Sequence, residues 1–227
     1  MRLLALETAT LAGGAALLDE GRLVGESRLD IALTHSERLM AVVDRLLQDC
    51  GWDVRSLAAL AVSVGPGSFT GLRIGTATAK GLALALEIEV APVPTLDALA
   101  ATLPFADAPV CPVLTARKGE VYCSLYRWNG TGMERRWEYL ALSPEAVAAR
   151  LEPPVIVLGD GVAACRPYLG RLGAGLRLAG PVHSVPSPAV VGALGHAMLI
   201  AGGGIPAERL APLYLRPSEA ELRGRHA

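Results

Sequence analysis

The stretch Ser63 to Gly75, S-V-G-P-G-S-F-T-G-L-R-I-G, constrains this chain more than any other. It follows a short apolar run, Leu57 to Val64, and precedes a long helical pattern, Thr76 to Leu86. Gly65, Gly67 and Gly71 let the backbone turn tightly and approach a neighbour closely, with Pro66 fixing one angle among them. A glycine turn between strand and helix faces either a phosphate at the helix N-terminus or another protein backbone, and spacing alone leaves both open. The P-loop pattern fails, because Pro66 stands five residues before Gly71 and Leu72-Arg73 follow it. The dinucleotide fingerprint also fails: Thr70 stands where the third glycine belongs, and the next strand, Glu89 to Val93, ends in Pro-Thr rather than an acid.

Composition narrows the function classes. In 227 residues, 52% hydrophobic content supplies a sizeable core, in one large domain or two small ones. Aromatics at 4% supply base stacking poorly, and a net charge of −1 argues against a broad electrostatic grip on nucleic acid. The N-terminus lacks the signal-peptide pattern, since Glu7 and glycines follow its short apolar run. No apolar segment reaches the roughly 20 residues of a membrane span; the best, Pro188 to Ile205, contains His196 and repeated glycines. The expected location is the cytoplasm. Cys50, Cys111, Cys123 and Cys165 are far apart, without C-x-x-C spacing, and read as idle thiols.

In chain order, Arg2 to Thr8, Gly13 to Leu18 and Leu23 to Leu29 read as three strands in an antiparallel meander. Thr34-His35-Ser36-Glu37 has the form of a capping box opening a helix to about Cys50. Leu39, Val42, Val43, Leu46 and Leu47 form its apolar stripe, and Gly51 stops it. Leu60 to Val64 is the next strand, followed by the glycine stretch, a helix to Leu86, and the strand Glu89 to Val93. Thr95 is expected to cap a helix over Leu96 to Leu103. The order β-β-β-α-β-α-β-α predicts a mixed sheet covered by helices. After a boundary at Pro104 to Pro109, Val110 to Ala116, Glu120 to Trp128 and Met133 to Ala141 form a second meander, the last two joined by Asn129-Gly130-Thr131-Gly132. Ser143-Pro144-Glu145 opens a short helix, Pro154 to Leu158 is a strand ending in Gly159-Asp160-Gly161, and a helix runs to about Leu169. Ser187-Pro188 opens a last helix to about Ala201. The second half loosely repeats the first, which suggests a duplicated domain.

Few side chains point to chemistry. His35 has Arg38 and Leu39 where a second helical metal ligand would stand, so no metal site is expected. Ser68 lies outside a G-x-S-x-G elbow, and no nucleophile stands out, so no catalytic residue is assigned. Glu7 and Asp160 end strands or sit in strand-to-helix turns, where a carboxylate can hold Mg²⁺ or orient water or simply cap the next element. Arg73 can meet a phosphate or a partner's carboxylate. Arg117 and Lys118 sit at a hairpin tip.

L-L-A-L-E-T-A-T, H-S-E-R-L and V-G-P-G-S-F-T-G-L-R-I-G, followed in order by T-A-R-K-G-E-V-Y, G-D-G and Y-L-R, resemble the TsaB (YeaZ) family over nearly the whole chain. The resemblance implies the actin-like, sugar kinase and Hsp70 ATPase (ASKHA, ribonuclease H-like) α/β fold. Its two duplicated βββαβαβα halves would span 1–103 and 104–227, with the helix at about 187–202 packing on the first. It implies a non-catalytic subunit in forming N6-threonylcarbamoyladenosine at position 37 of ANN-decoding tRNAs. Such a subunit dimerises with the transferase TsaD, is joined by the ATPase TsaE, forms a homodimer when alone, and reaches tRNA indirectly. TsaD carries H-x-x-x-H for its metal, whereas this chain pairs His35 with Leu39. Glu7 and Thr115 stand where the family usually has Asp, which weakens an ATPase reading. No cofactor is required on this reading, although ATP or ADP with Mg²⁺ at the partner interface would meet Glu7, Gly65, Gly67, Gly71, Gly159, Asp160 and Gly161. Leu39, Val42, Val43, Leu46, Phe69, Arg73 and Thr76 are expected to contact the partner. The alternatives are an actin-like ATPase or kinase and, more remotely, an M22-type glycoprotease.

Overall fold

The computed structural model describes residues 1–30 and 35–215. Strands β1 (Arg2–Glu7), β2 (Ala12–Asp19), β3 (Arg22–Asp30), β4 (Ala59–Gly65) and β5 (Glu89–Pro94) form one sheet in the order β3-β2-β1-β4-β5. The first three pair antiparallel, while β4 lies parallel to both β1 and β5. Helices α1 (His35–Asp49) and α2 (Phe69–Leu86) fill the connections around β4, and α3 (Thr95–Ala100) follows β5 directly.

A second sheet repeats the plan. Its path is β10 (Leu140–Leu142), β7 (Glu120–Cys123), β6 (Val110–Arg117), β11 (Val155–Leu158) and β12 (Leu176–Leu178), again with the first strand of its meander in the middle. Helix α4 (Pro144–Arg150) precedes β11 and α5 (Val162–Leu169) follows it. The hairpin β8 (Tyr126–Trp128) and β9 (Met133–Arg135) joins β6 through Tyr126 and Val110.

Burial on both faces explains why β1 reads as a continuous apolar run. Leu4 and Leu6 join the core beneath α1 and α2, with Leu39, Val43, Leu60 and Val62. Leu3 and Ala5 join the opposite core beneath α6 (Pro188–Ile200), with Leu18, Ala61 and Val191. Gly192 and Gly195 bring α6 down on Leu18 and Ala61; a Cβ at either glycine would lie 2.2 and 2.4 Å from those side chains.

Several sequence expectations change. Helix α2 begins at Phe69, well before Thr76, because the Ser68 side chain caps it by accepting from the Gly71 N–H at 3.3 Å. The two long strands of the second meander each divide, into β7 and β8 and into β9 and β10. The break is fixed where Ser124 Oγ donates to the Trp137 carbonyl at 2.8 Å and the Arg136 N–H donates to the Leu125 carbonyl at 2.6 Å. Thr95 is not a cap: β5 passes straight into α3 with Pro94 at the N-cap, and Thr95 Oγ1 is buried without a hydrogen-bond partner among the described residues. The Thr34–Glu37 capping box rests on Thr34, which lies outside the described residues.

The two sheets are tied together through α3. Asp97 Oδ1 accepts from the Tyr126 hydroxyl at 2.6 Å and the Tyr139 hydroxyl at 2.8 Å. Burial first, and then the neighbouring carboxylate, raise both phenols above their ordinary range, so both remain donors.

Candidate functional site

The C-terminal end of β1 is where the candidate residues converge. Glu7 is fully buried, with Oε1 accepting from the Ala9 N–H at 2.6 Å and Oε2 from the Ser63 hydroxyl on β4. Burial pushes its carboxyl up to about 7, against the pull of the Ser63 and Ala9 hydrogen bonds. Next to it, Thr8 Oγ1 donates to the Gly71 carbonyl at 2.8 Å.

The glycines approach this strand end and the C-terminal segment. A Cβ on Gly71 would lie 2.0 Å from the Thr8 carbonyl oxygen, and one on Gly75 2.2 Å from Thr8 Oγ1. One on Gly67 would lie 2.4 Å from the Ala9 carbonyl oxygen. Gly65, at φ +118°, faces the Leu213 carbonyl, and the Leu213 N–H donates to the Val64 carbonyl at 2.7 Å. The neighbour that spacing left open is therefore this chain's own backbone, and each glycine has a steric reason to be glycine without any ligand.

The second half repeats the device. Gly159, at φ +109°, would place a Cβ 2.0 Å from the Val113 carbonyl oxygen, and Gly161 packs on Val113 and Leu114. Asp160 Oδ1 accepts from the Thr115 N–H at 2.8 Å, so the carboxylate fastens the turn to β6.

A nucleotide-bound Mg²⁺ fits these donors poorly. Both Glu7 oxygens are engaged inside the protein, Thr115 offers no carboxylate, and one Asp160 oxygen holds a backbone amide. Among the described residues, no three His, Cys, Asp or Glu side chains form a metal-binding group.

The residues expected on a partner surface divide sharply. Leu39 (5% exposed), Val43 (1%), Leu46 (7%) and Thr76 (5%) are buried inside this chain, so they are corrected to core positions. The α1 stripe is apolar because it covers the sheet over Leu4, Leu6 and Val62. The Thr76 hydroxyl donates to the Leu72 carbonyl at 2.6 Å, inside α2. Val42 and Phe69 are half-buried and Arg73 is exposed. The Arg73 guanidinium lies 3.8 Å from the centre of the Phe69 ring, whose other neighbour is Tyr214 at 5.0 Å between centroids. Arg73 Nε also donates to the Tyr214 hydroxyl at 3.3 Å. The sequence carried no signal for this cluster, because Tyr214 stands 141 residues from Arg73.

The small residues of α2 divide in the same way: Gly75, Ala79 and Ala83 are buried, whereas others face outward. Ala77, Gly81 and Ala85 are exposed, as is Leu84 at 50%, and a Cβ on Gly81 would meet nothing within 4 Å. On α1, Met40 is 47% exposed.

Two sheets of identical strand order, each with a meander leading into parallel strands, joined through α3 and covered by helices, define an actin-like (ASKHA) α/β protein. A family model described as TsaD, tRNA N6-adenosine threonylcarbamoyltransferase, matches residues 30–161. The chain is 33% identical to the tRNA threonylcarbamoyladenosine biosynthesis protein TsaB of Escherichia coli strain K12, over 97% of this chain and 96% of that protein. It is 36% identical to the TsaB of Bacillus subtilis strain 168 over 60% of this chain, a match spanning 59% of the relative. The solved structure of YeaZ from Pseudomonas aeruginosa superposes with a TM-score of 0.82 at 31% identity, covering 94% of this chain and 99% of that one. The chain belongs to the TsaB (YeaZ) family.

Proposed function

We propose that this chain is a non-catalytic subunit in the formation of N6-threonylcarbamoyladenosine at position 37 of ANN-decoding tRNAs, working in the cytoplasm. It docks a TsaD-type transferase, and a TsaE-type ATPase joins the pair. Without the transferase the same face pairs two copies of the chain. tRNA is reached through the transferase. The observation that carries the non-catalytic reading is the closure of the glycine turn on Thr8, Ala9 and Leu213, with both Glu7 oxygens turned inward. No cofactor is required by this chain; where ATP or ADP with Mg²⁺ sits at the junction, the partner supplies the metal ligands.

The docking face is the outward side of α2, with Ala77, Gly81, Leu84 and Ala85, extended by Phe69, Arg73 and Tyr214 at its N-terminal end. Small residues let a partner helix approach closely, and an Arg–aromatic cluster is the kind of anchor that dominates interface energies.

The test is reconstitution with TsaD, TsaE, tRNA, ATP and threonylcarbamoyl-adenylate. Modified tRNA is expected to fall to background when this chain is omitted, and the chain alone is expected to turn over no ATP. Full activity without it, or robust ATPase activity of the lone chain, would replace this reading with that of an actin-like enzyme. Gly81→Arg gives an independent check, since the added side chain enters open space on this chain and would obstruct only a partner.

A further inference from the structure

The stretch from Ile205 to Tyr214 runs as a strap over the first half. Its inner end is fixed. Val90 and Ile205 exchange backbone hydrogen bonds at 2.9 Å, Ala207 and Leu210 are buried in the core beneath α2, and Lys80 Nζ on α2 donates to the Glu208 carbonyl at 3.1 Å. Its outer end, past Pro212, is held more lightly. Pro212 has no N–H to donate. What holds this end is one backbone bond, from the Leu213 N–H to the Val64 carbonyl at 2.7 Å, the half-buried Leu213 side chain, and Tyr214. A stretch tied by so few bonds opens at a lower free energy than the fold around it.

Tyr214 is 41% exposed, yet it engages two residues of α2 at once. Its ring stacks on Phe69 at 5.0 Å between centroids, and its hydroxyl accepts from Arg73 Nε at 3.3 Å, while the Arg73 guanidinium lies over the Phe69 ring at 3.8 Å. Phe69, Arg73, Ala77, Gly81 and Ala85 follow one another at four-residue spacing, so they form a single row along α2. Ala77, Gly81 and Ala85 are open, and the first two positions of the row are covered by this chain's own tyrosine. A partner helix seated along the whole row therefore meets the strap at the N-terminal end of α2.

We propose that Tyr214 is an internal stand-in for a side chain of the transferase, and that docking lifts the outer end of the strap, from Pro212 onward, off Phe69 and Arg73. This inference deepens the docking reading above and rests on it: of the three residues at that end of the face, Phe69 and Arg73 meet the partner and Tyr214 makes way. The contacts of the stand-in specify what replaces it. Phe69 takes an aromatic ring and Arg73 takes a hydrogen-bond acceptor, a combination that a tyrosine of the partner supplies. The closed strap lowers the apparent affinity, because only the open fraction of the chains can bind. It also discriminates against a helix that offers nothing to take the place of Tyr214.

The test is amide hydrogen exchange on the whole chain, alone and saturated with the TsaD-type transferase, together with transferase affinities of the native, Tyr214→Ala and Tyr214→Phe proteins. In the lone chain the Leu213 amide is expected to exchange faster than the Ile205 amide, and Tyr214→Ala to speed Leu213 without changing Ile205. On docking, residues 77–85 should slow and Leu213 should speed up, because its bond to Val64 breaks. Tyr214→Ala should bind the transferase about threefold to tenfold more tightly. Tyr214→Phe, which keeps the ring and loses the acceptor, should fall between the two. Slower or unchanged exchange at Leu213 on docking, or weaker or unchanged binding by Tyr214→Ala, would overturn the proposal by showing that Tyr214 stays in place. Equal exchange of Leu213 and Ile205 in the lone chain would also overturn it, by showing that the outer end does not open separately. Failure of every protein to bind the transferase, or unchanged exchange across 77–85 in the complex, would be a different result: it would overturn the docking reading on which the strap's role rests.

Discussion

Replacing Glu7 by glutamine isolates the energetic consequence of burying a carboxyl group under the glycine turn. In the native protein this group titrates near 7 rather than at its ordinary 4.5, chiefly because burial penalises the charged form. A raised pKa on an acid means that the folded state holds the proton more tightly than the unfolded state. The advantage is fully present below about 4.5 and is lost as pH rises through about 7. The interval of about 2.5 pH units, at ~1.36 kcal/mol each, corresponds to a loss on the order of 3 kcal/mol. Glutamine keeps the shape: its oxygen can accept from Ala9 and its amide can donate to Ser63. The assay is urea unfolding of both proteins at pH 5 and pH 8.5, comparing the change in stability between them so that other titrating groups cancel. Because about 0.8 kcal/mol of that loss has already occurred by pH 5, the native protein should lose roughly 2.5 kcal/mol more than Glu7→Gln over that range. At pH 5 the variant should lie within about 1 kcal/mol of the native protein, and at pH 8.5 it should be the more stable of the two. Parallel pH profiles, differing by less than about 0.5 kcal/mol, would refute the reasoning by showing that Glu7 is not held protonated.

Two glycines on one helix should respond oppositely to alanine. Gly71→Ala places a methyl group against the Thr8 carbonyl and should cost about 3 kcal/mol or more in chemical unfolding, whereas Gly81→Ala, in open space, should stabilise by about 0.5–1 kcal/mol. Val43→Ala should destabilise the isolated chain by about 1–3 kcal/mol, because Val43 is core, and affinity for the transferase measured well below the melting temperature should be unchanged. Tyr126→Phe and Tyr139→Phe should each cost about 1–2 kcal/mol, and a double-mutant cycle in thermal unfolding should show coupling, since both hydroxyls share one Asp97 oxygen.

The order of strands and helices was legible because apolar periodicity and turn residues are local. The alternation that marks β2 and the i, i+3, i+4 spacing on α1 each follow from which side of one element meets the core. What α1 meets was not legible. Leu39, Val43 and Leu46 make the same stripe whether they cover this chain's own sheet or a partner's helix, and only the sheet beneath decides it. The glycine stretch showed where the backbone comes close to something, but Thr8, Ala9 and Leu213 are distant in sequence from the glycines that touch them. The start of α2 was hidden for a related reason. Gly71 and Gly75 look like loop residues by propensity, yet they lie in the helix because the end of β1 excludes a side chain there. The split of the second meander rests on bonds from Ser124 and Arg136 that no alternation of apolar residues announces.

The placement of α6 has a consequence for synthesis. The first sheet is complete in its strands once Pro94 has been made, but the helix covering Leu3, Ala5, Leu18 and Ala61 starts only at Pro188. The ribosome needs about 5–20 seconds to add the roughly ninety residues between them. Throughout that interval the nascent chain carries a bare apolar sheet face, which is a binding site for a chaperone. A fragment ending at residue 103 would keep that face uncovered permanently and should aggregate, whereas supplying Ser187 to Ala201 as a separate peptide should rescue its solubility.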